Sequence, residues 1–175
     1  EVATNKDNVE INVSNILSLR LLLSVIAYVI LIAIVYFFID ELIVQYAILI
    51  LGINIFSNAI LLSWVFQGLE KMGIIAVRTI FVSGLSLTLV VLFVKSSDDT
   101  LLAFGILSFS LLINSILMTV YYLKKIGKIK LSYNSENWKR IAKGSIPIGL
   151  FSVMVSIMNN IDLSLIGILL TDFKY

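Results

Sequence analysis

Apolar and polar positions in this chain are sorted into long blocks. Five apolar blocks, Leu21–Ile39, Leu42–Phe66, Ile74–Val94, Leu101–Leu123 and Ile146–Leu170, are separated by polar stretches. Each is near or above the roughly 20 residues that an α-helix needs to cross the hydrocarbon core of a bilayer. None carries a strong amphipathic stripe, as expected of helices wetted by lipid or by one another. Many positions are β-branched, but the length of the blocks favours helix over buried strand. The strict alternation of barrel strands, each about 10 residues long, is missing. The pattern predicts an all-α fold, a polytopic membrane bundle of five transmembrane helices.

Composition reinforces this reading. Hydrophobic residues make up 59% of the chain and charged residues 14%, against about 25% charged in an average soluble domain. The mean hydropathy is +1.04. Cysteine and histidine are both absent. Disulfides, thiol nucleophiles, the commonest metal ligands and the usual near-neutral acid–base group are thereby removed. No G-x-x-x-x-G-K-[ST] loop occurs, and no cofactor or metal is expected. The chain opens on a polar run, EVATNKDNVEINVSN, and stops at Tyr175 just past the fifth block. We read it as an internal piece of a longer membrane protein.

Charge gives the orientation, because Lys and Arg collect in cytoplasmic loops. One set of connections holds Lys6, Arg20, Lys71, Lys124, Lys125, Lys128, Lys130, Lys139, Arg140 and Lys143; the other holds Lys95 and Lys174. Residues 1–20, 67–73 and 124–145 are therefore expected to be cytoplasmic. The cations of the last loop suit topology and anionic headgroups, so nucleic acid is not expected as a partner. Within that loop SENWKRIAK predicts a short interfacial helix, with Trp138, Ile141 and Ala142 on one face. Pro147 is expected in the first turn of the fifth helix, where its missing N–H costs little.

The stretch WVFQGLEKMG, Trp64 to Gly73, interrupts the apolar pattern with Gln67, Glu70 and Lys71. As physics it is a hairpin, with Trp64 at the interface and Gly68 and Gly73 permitting the reversal. Its spelling resembles the loop after the fourth membrane helix of O-antigen flippases of the Wzx type. These are oligosaccharide translocases of the multidrug/oligosaccharidyl-lipid/polysaccharide exporter superfamily. A second stretch agrees: Lys143, Pro147, Asn160, Asp162, Ile166 and Gly167 take the places of that family's seventh-helix pattern, with Ile166 where the family has Leu.

The resemblance implies that the five spans are helices three to seven of a two-lobe transporter. Residues 1–123 would then belong to the N-terminal lobe, 124–145 to the cytoplasmic inter-lobe loop and 146–175 to the first helix of the C-terminal lobe. It implies flipping of undecaprenyl-linked oligosaccharide units by alternating access in the bacterial inner membrane. It also implies lipid-linked oligosaccharide, membrane lipids and polysaccharide-assembly proteins as partners. A drug/cation antiporter of the same superfamily and a polytopic membrane enzyme of polysaccharide assembly are the alternatives. The family spelling weighs against the first. For the second, the outward connections are short and no histidine is present.

Polar residues within the spans are the candidate substrate or cavity groups. Asp162 is the one carboxylate well inside a span, with Asn159 and Asn160 beside it. A carboxylate at that depth costs roughly 2.5–3.5 kcal/mol on insertion scales, so it should face protein or water. Asn54, Asn58 and Asn114 lie deep in the second and fourth spans. Their amides suit sugar hydroxyls and equally suit bonds between helices. Ser108, Ser110 and Ser115 read as small residues that let helices approach. Arg78 lies near the cytoplasmic end of the third span, where it either snorkels or binds a lipid-linked phosphate.

Overall fold

A computed structural model describes residues 9–96, 99–130 and 135–171, the side chains of residues 135, 160 and 162–171 excepted. Every regular element among them is helical, and five stretches are long and apolar enough to span a membrane. The chain divides into two units, residues 1–133 and 134–175. The first holds α1 (Val9–Phe38), α2 (Leu42–Gly52), α3 (Asn54–Ile60), α4 (Ser63–Gly68), α5 (Met72–Phe93) and α6 (Thr100–Lys125); the second holds α7 (Ser135–Thr171). α6 is the hub of the first unit, packing against α2, α3 and α5, while α1 packs against α2 and α3.

α1 starts at Val9 rather than Leu21, and the reason lies in spacing. Val9, Val13 and Leu17 recur every four residues and form one stripe of a helix. That stripe is buried against Leu62, Val65, Phe66, Met118 and Tyr122. Burial of each such side chain favours folding by about 1.5–3 kcal/mol, so a stretch that reads as polar is drawn into the helix. Thirty residues of helix extend about 45 Å, more than the ~30 Å core of a bilayer. The first turns of α1 therefore project beyond it, at the end of the bundle that carries Lys124 and Lys125. The chain after α6 is strapped to this projection. The Lys128 N–H donates to Glu10 Oε1 (3.1 Å) and the Lys130 N–H to Ser14 Oγ (3.0 Å), while Ile126 and Ile129 pack on the buried cluster.

The Trp64–Gly73 hairpin turns differently from the sequence reading. Gln67 and Gly68 end α4, Gly73 lies inside α5, and no described glycine has a positive φ. The left-handed position is Glu70, at φ 59°. The Lys71 N–H donates to Phe66 O (2.8 Å) and the Glu70 N–H to Gln67 O (3.0 Å). This is the paired closure of a Schellman motif, with Glu70 where glycine usually sits.

At the opposite end, the turn between α5 and α6 is organised by Asp99. Its Oδ2 accepts from the N–H groups of Lys95 (2.9 Å) and Ser96 (3.0 Å) and from Ser96 Oγ (3.2 Å). Those backbone bonds hold its carboxyl below the usual range. In the second unit, no separate interfacial helix forms. α7 is continuous from Ser135, and Pro147 sits in its interior rather than in a first turn. Proline there leaves the carbonyl four residues earlier without its helical partner.

Candidate functional site: a polar layer within the first unit

The second span and α6 run in the same direction, and hydroxyls on α6 fix their register. Ser108 Oγ donates to Ile50 O (3.1 Å), Ser115 Oγ to Ser57 O (2.6 Å) and Thr119 Oγ1 to Ile60 O (3.2 Å). Asn114 adjoins Ser115, and Asn54 lies three residues from Ser57. The two amides therefore sit within about one helical turn of each other in depth. Arg78 on α5 donates from its terminal guanidinium nitrogen to Asn114 O (3.1 Å). The guanidinium thus reaches the middle of α6, deeper than the sequence suggested for a residue near the end of its span. Asn58 is exposed on α3 and donates to Asn54 O (2.9 Å).

This layer is chemically incomplete. The Arg78 Nε, the Asn114 Oδ1 and the Asn54 Oδ1 are all buried without hydrogen-bond partners. No carboxylate pairs with Arg78 among the described residues. An open groove of about 500 Å³ runs beside it, lined by Gly73, Ile74, Val77, Arg78 and Phe81. The layer thus offers one cationic donor and two amide acceptors, next to an apolar wall. Phosphate oxygens match the donor, and sugar hydroxyls match the amides.

The hairpin residues lie elsewhere, at the basic end. Trp64 packs on the buried cluster with its Nε1 buried and unpartnered, while Gln67, Glu70 and Lys71 are exposed. No hydrogen bond among the described residues joins them to the Arg78 layer. Asn159 lies on α7 in the second unit. The side chains of Asn160 and Asp162 lie outside the described ones. No group of three or more acidic residues able to hold a metal occurs among the described residues.

Sequence reasoning overlooked several groups. Arg20, counted only for topology, donates to Leu61 O (3.4 Å), and Tyr28 donates to Leu49 O (3.3 Å). Ser108, Ser115 and Thr119 are hydrogen-bond donors to a neighbouring helix as well as small residues. Their spacing of seven and four along α6 was the available signal, since it marks one polar stripe on an apolar helix.

No curated protein and no solved structure matches the chain. A protein-family model does, over residues 1–173. An all-helical chain with five candidate spans, four of them in the unit that holds the half-satisfied polar layer, agrees with that match. The chain belongs to the polysaccharide biosynthesis protein family.

Proposed function

We propose that the protein translocates an undecaprenyl-linked oligosaccharide across the bacterial inner membrane, for O-antigen or related surface polysaccharide. The observation that carries this reading is the Arg78 layer. A guanidinium is held at mid-helix without a carboxylate partner among the described residues, bonded to the Asn114 backbone carbonyl, at about the depth of two amide oxygens that lack donors. An uncompensated cation at such depth is costly, roughly 2.5–3.5 kcal/mol on insertion scales, and in membrane proteins it marks substrate or ion paths. A pyrophosphate-linked glycan carries both missing partners: anionic oxygens for Arg78, and hydroxyls for Asn54 and Asn114. The apolar groove beside Arg78 suits the first isoprene units of its tail. Such a substrate would move by alternating access about a polar cavity, and Asp162, the carboxylate that the sequence places well inside a span, is a second candidate group for transport.

The reading supposes transport rather than catalysis, with the basic connections on the cytoplasmic side. Its test is the surface glycan of cells whose only flippase is the full-length protein carrying Arg78→Gln or Asp162→Asn. Both variants should reach the membrane at normal level, because a neutral amide is cheaper to bury than a charge. Both should lose surface glycan and accumulate its lipid-linked precursor. Normal export by both variants would remove these charges from the mechanism.

A further inference from the structure

Among the described residues, the second span is the membrane-crossing element that is not one helix. α2 ends at Gly52 and α3 begins at Asn54; after Ile60 the chain leaves the helix at Leu61 and Leu62 before α4. At Ile53 the backbone stays right-handed (φ −57°, ψ −26°) and its N–H donates to Ile50 O (3.3 Å), so the ladder shifts there; at Leu61–Leu62 it stops. A carbonyl left without a donor costs several kcal/mol in hydrocarbon, and neighbouring helices supply further donors around both interruptions. Tyr28 and Ser24 of α1 reach Leu49 O (3.3 Å) and Ile55 O (3.5 Å). Ser108, Ser115 and Thr119 of α6 reach Ile50 O, Ser57 O and Ile60 O, and Arg20 reaches Leu61 O.

Three of these donors have a second acceptor on their own helix. Ser24 Oγ lies 2.7 Å from Arg20 O, Ser115 Oγ 2.9 Å from Leu111 O, and Thr119 Oγ1 3.0 Å from Ser115 O. A hydroxyl has one proton to give. Each can hand it back to the carbonyl four residues earlier in its own helix, so the bond to α3 is released without stranding the donor. On the accepting side, Ser57 O keeps the Leu61 N–H (3.1 Å). There is also room to move. A cleft of about 350 Å³, lined by Ile50, Ile53, Gly105, Ser108, Phe109 and Leu112, lies against the first break. A Cβ on Gly105 would meet nothing within 4 Å. Close-packed interiors resist displacement; an open cleft leaves that side of the segment without packed protein neighbours.

We propose that α3 is a swinging segment, hinged at Ile53 and at Leu61–Leu62. Its attachments to α1 and α6 exchange between neighbouring-helix and own-helix acceptors as it moves. It deepens the transport reading because Asn54 and Asn58 ride on α3, so the swing carries both amides. The hinge itself rests only on the bonds and the cleft.

The test is hydrogen–deuterium exchange of the full-length protein in lipid nanodiscs, without substrate. Amides of residues 54–62 should exchange at least about tenfold faster than those of 108–119 in α6, as local opening below the global unfolding free energy requires. Equal protection of the two segments would overturn the proposal. Gly105→Leu fills the cleft and should slow exchange in α3 while leaving α6 unchanged. Ser115→Ala removes one attachment and should speed it. If neither variant changes α3, the hinge is wrong. If Gly105→Leu quiets α3 yet surface glycan persists, the hinge stands and its link to transport fails.

Discussion

Replacing Glu70 with glycine should stabilise the protein. Glu70 holds a left-handed backbone at φ 59° so that Lys71 and Glu70 can close the end of α4 on Phe66 and Gln67. A residue with a Cβ pays about 1–2 kcal/mol for that conformation. Glycine escapes the clash but loses about 0.5–1 kcal/mol more backbone entropy on folding. The Glu70 side chain is exposed, so its removal sacrifices little packing. The central balance is a gain of roughly 0.5–1 kcal/mol, or a Tm rise of about 1–4 °C for a chain of this size. Thermal unfolding in detergent micelles would read it. Glu70→Ala controls for the lost charge, since alanine keeps the strain, and it should match the wild type. Gly73, inside α5 with open space around it, gives the converse: Gly73→Ala should also stabilise, by up to about 1 kcal/mol. A Glu70→Gly protein no more stable than Glu70→Ala would refute the assignment of the turn to Glu70.

Gly127→Ala would place a Cβ 2.6 Å from Glu10 Cγ. The carboxylate must then release the Lys128 N–H, at a cost of about 1–2 kcal/mol. Unfolding of the single and double variants should show that Gly127→Ala costs almost nothing in a Glu10→Ala background. The Asp99 carboxyl, held below its usual range by the Lys95 and Ser96 N–H groups, favours the folded turn at and above the ordinary carboxylate range. That contribution drains away as pH falls through the lowered folded-state value. Proteolysis at the α5–α6 turn, followed from about pH 6 to pH 2 with an acid-stable protease, should rise at the acid end and lose this dependence in Asp99→Asn. Single cysteines replacing Lys95 and Lys128 should label from opposite sides of the membrane with an impermeant thiol reagent; native thiols are absent. Equal labelling in intact cells would overturn the orientation.

The five spans were legible because hydropathy needs only the run length of apolar residues, and the all-helical fold followed. What depends on backbone bonding was not. The start of α1 was hidden because Val9, Val13 and Leu17 are diluted by Glu10, Asn12, Ser14 and Asn15, although their four-residue spacing was there to be counted. The interruptions at Ile53 and Leu61 carry no proline; donors from α1 and α6 reach the carbonyls around them, a tertiary fact. Glycines drew the turn prediction to Gly68 and Gly73, whereas hydrogen bonding assigned the strained position to Glu70. Of the candidate site, the polar residue types pointed to Asn54, Asn114 and Arg78. Their assembly into one layer required the register set by Ser108, Ser115 and Thr119.

The central claim is that the full-length protein moves a lipid-linked oligosaccharide across a bilayer, using the Arg78 layer. Proteoliposomes carrying such a lipid labelled on its glycan test it directly, by following the fraction reached by an added lectin over time. Wild-type protein should equilibrate the label between leaflets far faster than empty liposomes, and Arg78→Gln should slow this by tenfold or more, about 1.4 kcal/mol. Wild-type vesicles no faster than empty ones would contradict the account, as would an Arg78→Gln protein as fast as the wild type.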